Sequence, residues 1–148
     1  MVRINYSRTI YFCFMPNNSK PSPQEDLDTR INCVVQAKEH LEKEIQAISA
    51  SGEVAASSCW IVRYLAKGRN SVYWYYKLQA NVAIFPTKTD GKSSRYKHLG
   101  KAGSQAYLEA VEQIFLRAKI EALDRSIEIL NQGLKDLIQE TSKYNKNE

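Results

Sequence analysis

The sequence predicts an α+β fold: a long N-terminal helix, a three-stranded antiparallel sheet and a long C-terminal helix, with the two helices pairing as an antiparallel hairpin. Three observations predict it. Apolar residues recur four and three apart in two separate stretches, a run rich in Tyr, Trp and Val lies between them, and glycines and prolines fall at the joints. A chain of 148 residues is also the usual size of one domain, able to bury a core without metal or disulfide support.

Residues 1–21 read as a strand and linker, partly disordered. Ile10, Phe12 and Phe14 alternate with Tyr11, Cys13 and Met15, and Pro16-Asn17-Asn18-Ser19-Lys20-Pro21 forms turns. A single domain follows over 22–142. Ser22-Pro23-Gln24-Glu25 is a helix start in which the serine accepts an orphan amide, the proline has helical φ, and the glutamate reaches back. From there Leu27, Ile31, Val34, Lys38, Leu41, Ile45 and Ile48 form one seam, broken in character only by Lys38, whose stem can lie along it. The helix is expected over 22–50, ended by Ser51-Gly52.

The sheet is expected over 59–100. Its strands are Cys59 to Leu65, bounded by Gly68; Ser71 to Phe85; and Ser93 to Leu99, after Asp90-Gly91 and before Gly100. In the second strand Tyr73, Tyr75 and Lys77 point to one face, and Trp74, Tyr76 and Leu78 to the other. One of these faces should be core. The closing helix is expected over 104–142. Tyr107, Val111, Ile114 and Ala118 make a first stripe, and Leu116, Ile120, Leu123, Ile127, Leu130, Leu134 and Leu137 a second seam, before a disordered tail at 143–148. The two seams match, so Leu27 to Ile48 should lie along Leu116 to Leu137; a homodimeric coiled coil could use the same stripes.

The net charge of +5 is unevenly placed. Residues 60–101 hold nine Lys/Arg against the single acid Asp90, a local +8, whereas 1–59 carry −1 and 102–148 carry −2. Phosphate attracts such cations, and exposed aromatic rings give bases a surface to stack on. The residues expected at phosphates are Arg63, Lys67, Arg69, Lys77, Lys92, Arg95, Lys97 and Lys101, with Tyr73 and Tyr75 as stacking or groove contacts. The competing reading makes Trp60, Trp74 and Tyr76 the core of a small sheet and the cations its solvated face.

Other chemistry is poorly supported. Three widely spaced cysteines, Cys13, Cys33 and Cys59, with only His40 and His98 as nitrogen partners, argue against a disulfide framework or a zinc site and for a reducing compartment. The six apolar residues Ile10 to Met15 are too few for a secretion signal or a membrane span, so the chain is expected in the cytoplasm, away from membranes. Gly91-Lys92-Ser93 has the tail of a phosphate-binding loop, but Pro86 stands where its first glycine belongs. Cys59 and His98 could pair across the sheet, although nothing in their spacing requires it. No catalytic residue, metal or cofactor is expected.

The run Tyr73-Trp74-Tyr75-Tyr76, the turn Asp90-Gly91-Lys92 and the segment Ser94-Arg95-Tyr96-Lys97-His98-Leu99-Gly100-Lys101, leading into Ser104-Gln105-Ala106-Tyr107, resembles the strand–strand–strand–helix plan of integrase arm-binding domains. It is also similar to small prokaryotic proteins of mobile elements that hold a Tyr-Trp-Tyr block between two helices. The first resemblance spans Trp60 to Tyr107 and implies a sheet in a major groove with Arg63, Lys77, Arg95 and Lys97 as contacts. The long flanking helices and the wide turn from Asn81 to Ser93 depart from that plan, and no recombinase portion follows. The expected function is that of a nonenzymatic nucleic-acid-binding accessory protein of a mobile element, with DNA favoured over RNA. The alternative is a coiled-coil interaction or homodimerisation module.

Overall fold

The structure is a computed structural model that describes residues 20–144; the strand expected at 10–15 lies outside them. The elements run α1 (Pro23–Ser51), β1 (Cys59–Lys67), β2 (Val72–Ala80), β3 (Phe85–Pro86), β4 (Ser93–Ser94), β5 (Tyr96–Gly100) and α2 (Gln105–Tyr144). This is the expected α+β class, with two long helices paired as an antiparallel hairpin and a three-stranded antiparallel sheet between them in sequence. The described residues divide into two compact units, residues 20–46 with 122–144, and residues 47–121.

In the first unit the start of α1 is the expected reciprocal cap. The Glu25 amide donates to the Ser22 hydroxyl at 3.2 Å, and the Ser22 amide donates to the Glu25 carboxylate at 2.8 Å. Leu27 is fully buried, and Ile31, Val34, Lys38 and Leu41 are half-buried along the predicted seam. Leu123, Ile127, Leu130, Leu134 and Leu137 of α2 are half-buried in the same way. Arg30 pins the antiparallel register by donating to both carboxylate oxygens of Glu140, at 3.0 and 3.2 Å, while its Nε donates to Asp26 at 2.9 Å. Such two-pronged pairing fixes orientation as well as distance. Lys38 lies in the seam with its ammonium 3.8 Å from Glu42, as a long stem with a charged tip allows. Residues 143 and 144 are helical, where a tail was expected. Cys33 is disulfide-bonded, which corrects the expectation that the cysteines stand apart and removes the cysteine argument for a reducing compartment.

The second unit holds the sheet, in the order β1-β2-β5. Strands β1 and β2 pair along their whole length, from Cys59 opposite Ala80 to Lys67 opposite Val72. Strand β5 pairs with the second half of β2, and a bulge at Tyr76/Lys77 leaves Leu99 between Gly100, opposite Tyr76, and His98, opposite Lys77. The second strand is shorter than expected. It stops at Ala80, and Phe85–Pro86 instead forms a small ribbon with Ser93–Ser94. Proline has no amide for a central ladder, and Asn81 favours a turn, so the segment leaves the sheet.

Cys59, Leu78, Ala80 and Leu99 of the sheet and Ala110 of α2 form the buried core, with Ile61, Tyr76, Phe85, Ala106, Tyr107 and Ile114 packed around it. Tyr107 and Ile114 lie where the first stripe of α2 put them; Val111, 41% exposed, and Ala118 do not. The face that meets the sheet is Ala106, Tyr107, Ala110 and Ile114, where small alanines let the helix approach closely. Arg117 then ties the entry loop to the helix. Its Nη1 donates to the carbonyls of Ala56 and Cys59, the latter at 2.6 Å, and its Nε lies 3.4 Å from Glu121. Gly100, at φ +91°, turns β5 into α2, a left-handed conformation that glycine adopts without strain. Ser104 caps the helix, donating to the Leu99 carbonyl at 2.6 Å and accepting from the Tyr107 amide at 3.3 Å, as a serine at this position is suited to do.

Candidate nucleic-acid interface

Alternation along a strand sends odd and even residues to opposite faces. In β1 and β2, Cys59, Ile61, Tyr76, Leu78 and Ala80 face the core, and the same parity takes Arg63, Leu65, Lys67 and Trp74 to that face. Trp60, Val62, Tyr64, Tyr73, Tyr75, Lys77 and Gln79 therefore share the opposite face, which Tyr96 and His98 of β5 extend through their pairing with Gln79 and Lys77. This second face is open: Trp60 is 39% exposed, Tyr73 39% and Tyr96 46%.

The open face is an aromatic sheet surface with cations laid over it. Tyr64 stacks on Tyr75, opposite it in the register, with centroids 6.1 Å apart and planes 30° apart. His98 sits against both, 5.6 Å from Tyr75 and 6.2 Å from Tyr64, and its Nδ1 shares a 2.7 Å hydrogen bond with the Tyr64 hydroxyl. The Lys77 ammonium lies 4.0 Å from the Tyr96 centroid and 5.4 Å from that of Tyr64. Lys101 lies 4.3 Å from the Tyr73 centroid and 5.9 Å from that of Tyr75. Tyr73 is held close to the backbone at the β1–β2 turn, where a Cβ on Gly68 would fall 2.8 Å from its ring. A side chain at position 68 would therefore displace the Tyr73 ring.

Of the ten residues predicted from sequence, the structure brings together Tyr73, Tyr75, Lys77 and Lys101 on this face. The other six do not join them. Arg63 and Lys67 belong to the core-side face, where Arg63 stacks 4.0 Å over exposed Trp74, and Lys97 stands opposite Leu78 on that side. Arg69 and Lys92 are in turns, and Arg95 donates from Nε to the Ala80 carbonyl at 3.3 Å. The ten predicted residues are thus divided between the two faces of the sheet and the turns beside it. The reading that buried Trp60 and Trp74 is corrected, since both are exposed and only Tyr76 of that trio joins the core.

Sequence reasoning did not single out Tyr64 or Tyr96, and weighed His98 as a zinc ligand and as a partner for Cys59. That pairing is ruled out because Cys59 is buried in the core face with its thiol donating to the Ala56 carbonyl, while His98 lies on the open face. Gly91-Lys92-Ser93 leads into β4 and not into a helix, so it lacks the geometry of a phosphate-binding loop.

Electrostatically the sheet cations stand apart from carboxylates. Among the described residues the ion pairs involve Arg30, Lys38 and Arg117, all on helices. A lysine over an exposed ring is worth about 0.5–1 kcal/mol, so these contacts hold the ammoniums only weakly. Among the described residues, no helix is long and apolar enough to cross a membrane. No protein-family model, curated protein or solved structure matches the chain.

Proposed function

We propose that this protein is a nonenzymatic nucleic-acid-binding accessory protein, with DNA as the first ligand to test and the open face of the β1-β2-β5 sheet as its contact surface. The observation that carries the reading is Lys77 and Lys101 held over Tyr64, Tyr73, Tyr75 and Tyr96 on a face without a paired carboxylate among the described residues. Lysines free to leave the rings supply phosphate contacts, and the rings they uncover supply stacking. The surrounding +8 in residues 60–101 draws a polyanion toward the same segment. A role on a mobile element rests on the sequence resemblance alone.

The test is a salt titration of oligonucleotide binding. Two lysines released from ring faces to phosphates should give affinity that falls with salt at a log–log slope of about −1.4 to −1.8, and Lys77→Glu/Lys101→Glu should abolish binding at every salt concentration. Binding that is flat with salt, or unchanged in the double variant, would refute the proposal.

A second reading is favoured by one observation: the hairpin leaves its seams half-buried, with Ile129 of α2 73% exposed. Such a helix pair can recruit a helical partner or a second copy. Sedimentation across a dilution series decides this, because an interaction module associates with increasing concentration and a self-sufficient hairpin stays monomeric.

A further inference from the structure

We propose that the open face takes its nucleic acid as a single strand, with bases stacked on Tyr64, Tyr75 and Tyr96 and with Lys77 and Lys101 released onto the flanking phosphates. This rests on the nucleic-acid reading above and narrows its ligand class. Three observations favour a single strand over a duplex.

The first is what the face presents. A duplex hides its base planes and shows edges and phosphates, so it is read by a helix, ribbon or fork of donors entering a groove. Here the face presents rings: Tyr96 and His98 are exposed, and half-buried Tyr64 and Tyr75 pack beside His98 at 5.6–6.2 Å between centroids. Rings on a sheet match unstacked bases, which only a single strand offers.

The second is which cations are there. Groove reading favours arginine among the cations, because its planar fork matches guanine bidentately where lysine offers a point charge. Both cations over the open rings are lysines, while Arg63 is on the opposite face over Trp74 and Arg95 is turned to the Ala80 carbonyl.

The third is how the lysines are held. Each ammonium already lies over rings that bases would take, Lys77 4.0 Å from the Tyr96 centroid and 5.4 Å from that of Tyr64, and Lys101 5.9 Å from that of Tyr75. A base arriving there displaces the ammonium, and the phosphate attached to that base receives it. A duplex, whose bases stay stacked inside, would leave the rings uncovered and the exchange unused.

The experiment uses the full chain carrying Trp74→Phe, which leaves Trp60 of the open face as the sole indole. Oligothymidylate and oligouridylate of about 12 nucleotides, and a duplex of mixed sequence, are titrated at low salt while Trp60 fluorescence and binding anisotropy are followed. Stacking predicts that single strands quench Trp60 and bind more tightly than the duplex, and the tighter of the two single strands tells DNA from RNA. Tyr64→Leu and Tyr96→Leu should each weaken single-strand binding roughly 5- to 150-fold, the range expected for one lost stacking partner. Tyr64→Phe and Tyr96→Phe keep the ring and should retain binding, which separates lost stacking from lost folding. Duplex binding at least as tight as single-strand binding, or leucine variants that bind single strands like the native chain, would overturn the inference and leave the broader reading standing. Absence of binding to all three probes would overturn both.

Discussion

Tyr64 shows how much of the open face is set by register. Its ring meets Tyr75 because β1 and β2 pair Tyr64 with Tyr75, and it meets His98 because β5 pairs His98 with Lys77, two residues along from Tyr75 on the same face. The parity of Tyr73, Tyr75 and Lys77 was legible within one strand, since alternation is local. Their neighbours across the sheet were not, because cross-strand pairing depends on turn length and on the bulge at Tyr76/Lys77. Arg117 was illegible for a related reason. In sequence it is a helix-face cation, and only the folded loop brings the Ala56 and Cys59 carbonyls to it. Two outcomes follow at this scale. Leu78→Ala removes a buried side chain of the core and should cost about 2–5 kcal/mol in a denaturant melt, whereas Trp74→Ala, on an exposed ring, should cost well under that. Gly68→Ala forces the new methyl against Tyr73, and the near-ultraviolet signal of the open face should change while the far-ultraviolet signal does not.

The helices were the most legible elements. Heptad spacing and the Ser22 to Glu25 cap set α1 within a residue at each end, and the α2 seam from Leu116 to Leu137 is half-buried throughout. The first turns of α2 were misread because their stripe follows the sheet they cover and not the seam that continues below. The strand after Asn81 was misread because apolar content suggested continuity where Pro86 prevents it. The hairpin should also respond to acid. The hydrogen bond from the Ser22 amide holds the Glu25 carboxyl below its ordinary range, and the Arg30 guanidinium does the same for Glu140. A carboxyl with a depressed folded-state pKa stabilises the fold above the unfolded carboxylate range, and that contribution is lost as pH falls through the folded value. Helix stability should therefore decline on acidification below the ordinary carboxylate range, about pH 4, and a Glu25→Gln/Glu140→Gln chain should show a shallower decline in thermal midpoint. Both sites are exposed, so solvent screening keeps the difference small. In the same unit, Leu41→Asp puts a charge into the half-buried seam and should lower the helical signal of dilute protein if the hairpin is self-sufficient.

At the scale of the whole molecule, the charge separation visible in the sequence coincides with the division of labour in the fold. Residues 60–101 carry +8 and form the strands, turns and ribbon of the sheet region, while the seams carry the apolar spacing of a helical hairpin. Net charge alone, however, does not choose a face: Arg63 and Lys97 lie on one side of the sheet, Lys77 and Lys101 on the other. The most direct test of open-face binding therefore compares two variants of equal charge change, Lys77→Glu/Lys101→Glu and Arg63→Glu/Lys97→Glu, in oligonucleotide binding at one low salt concentration. Contact through the aromatic face predicts that the first loses binding and the second keeps most of it. Equal loss in both would mean that diffuse charge, and not the aromatic face, holds the nucleic acid, and loss in the second alone would move the interface to the opposite face.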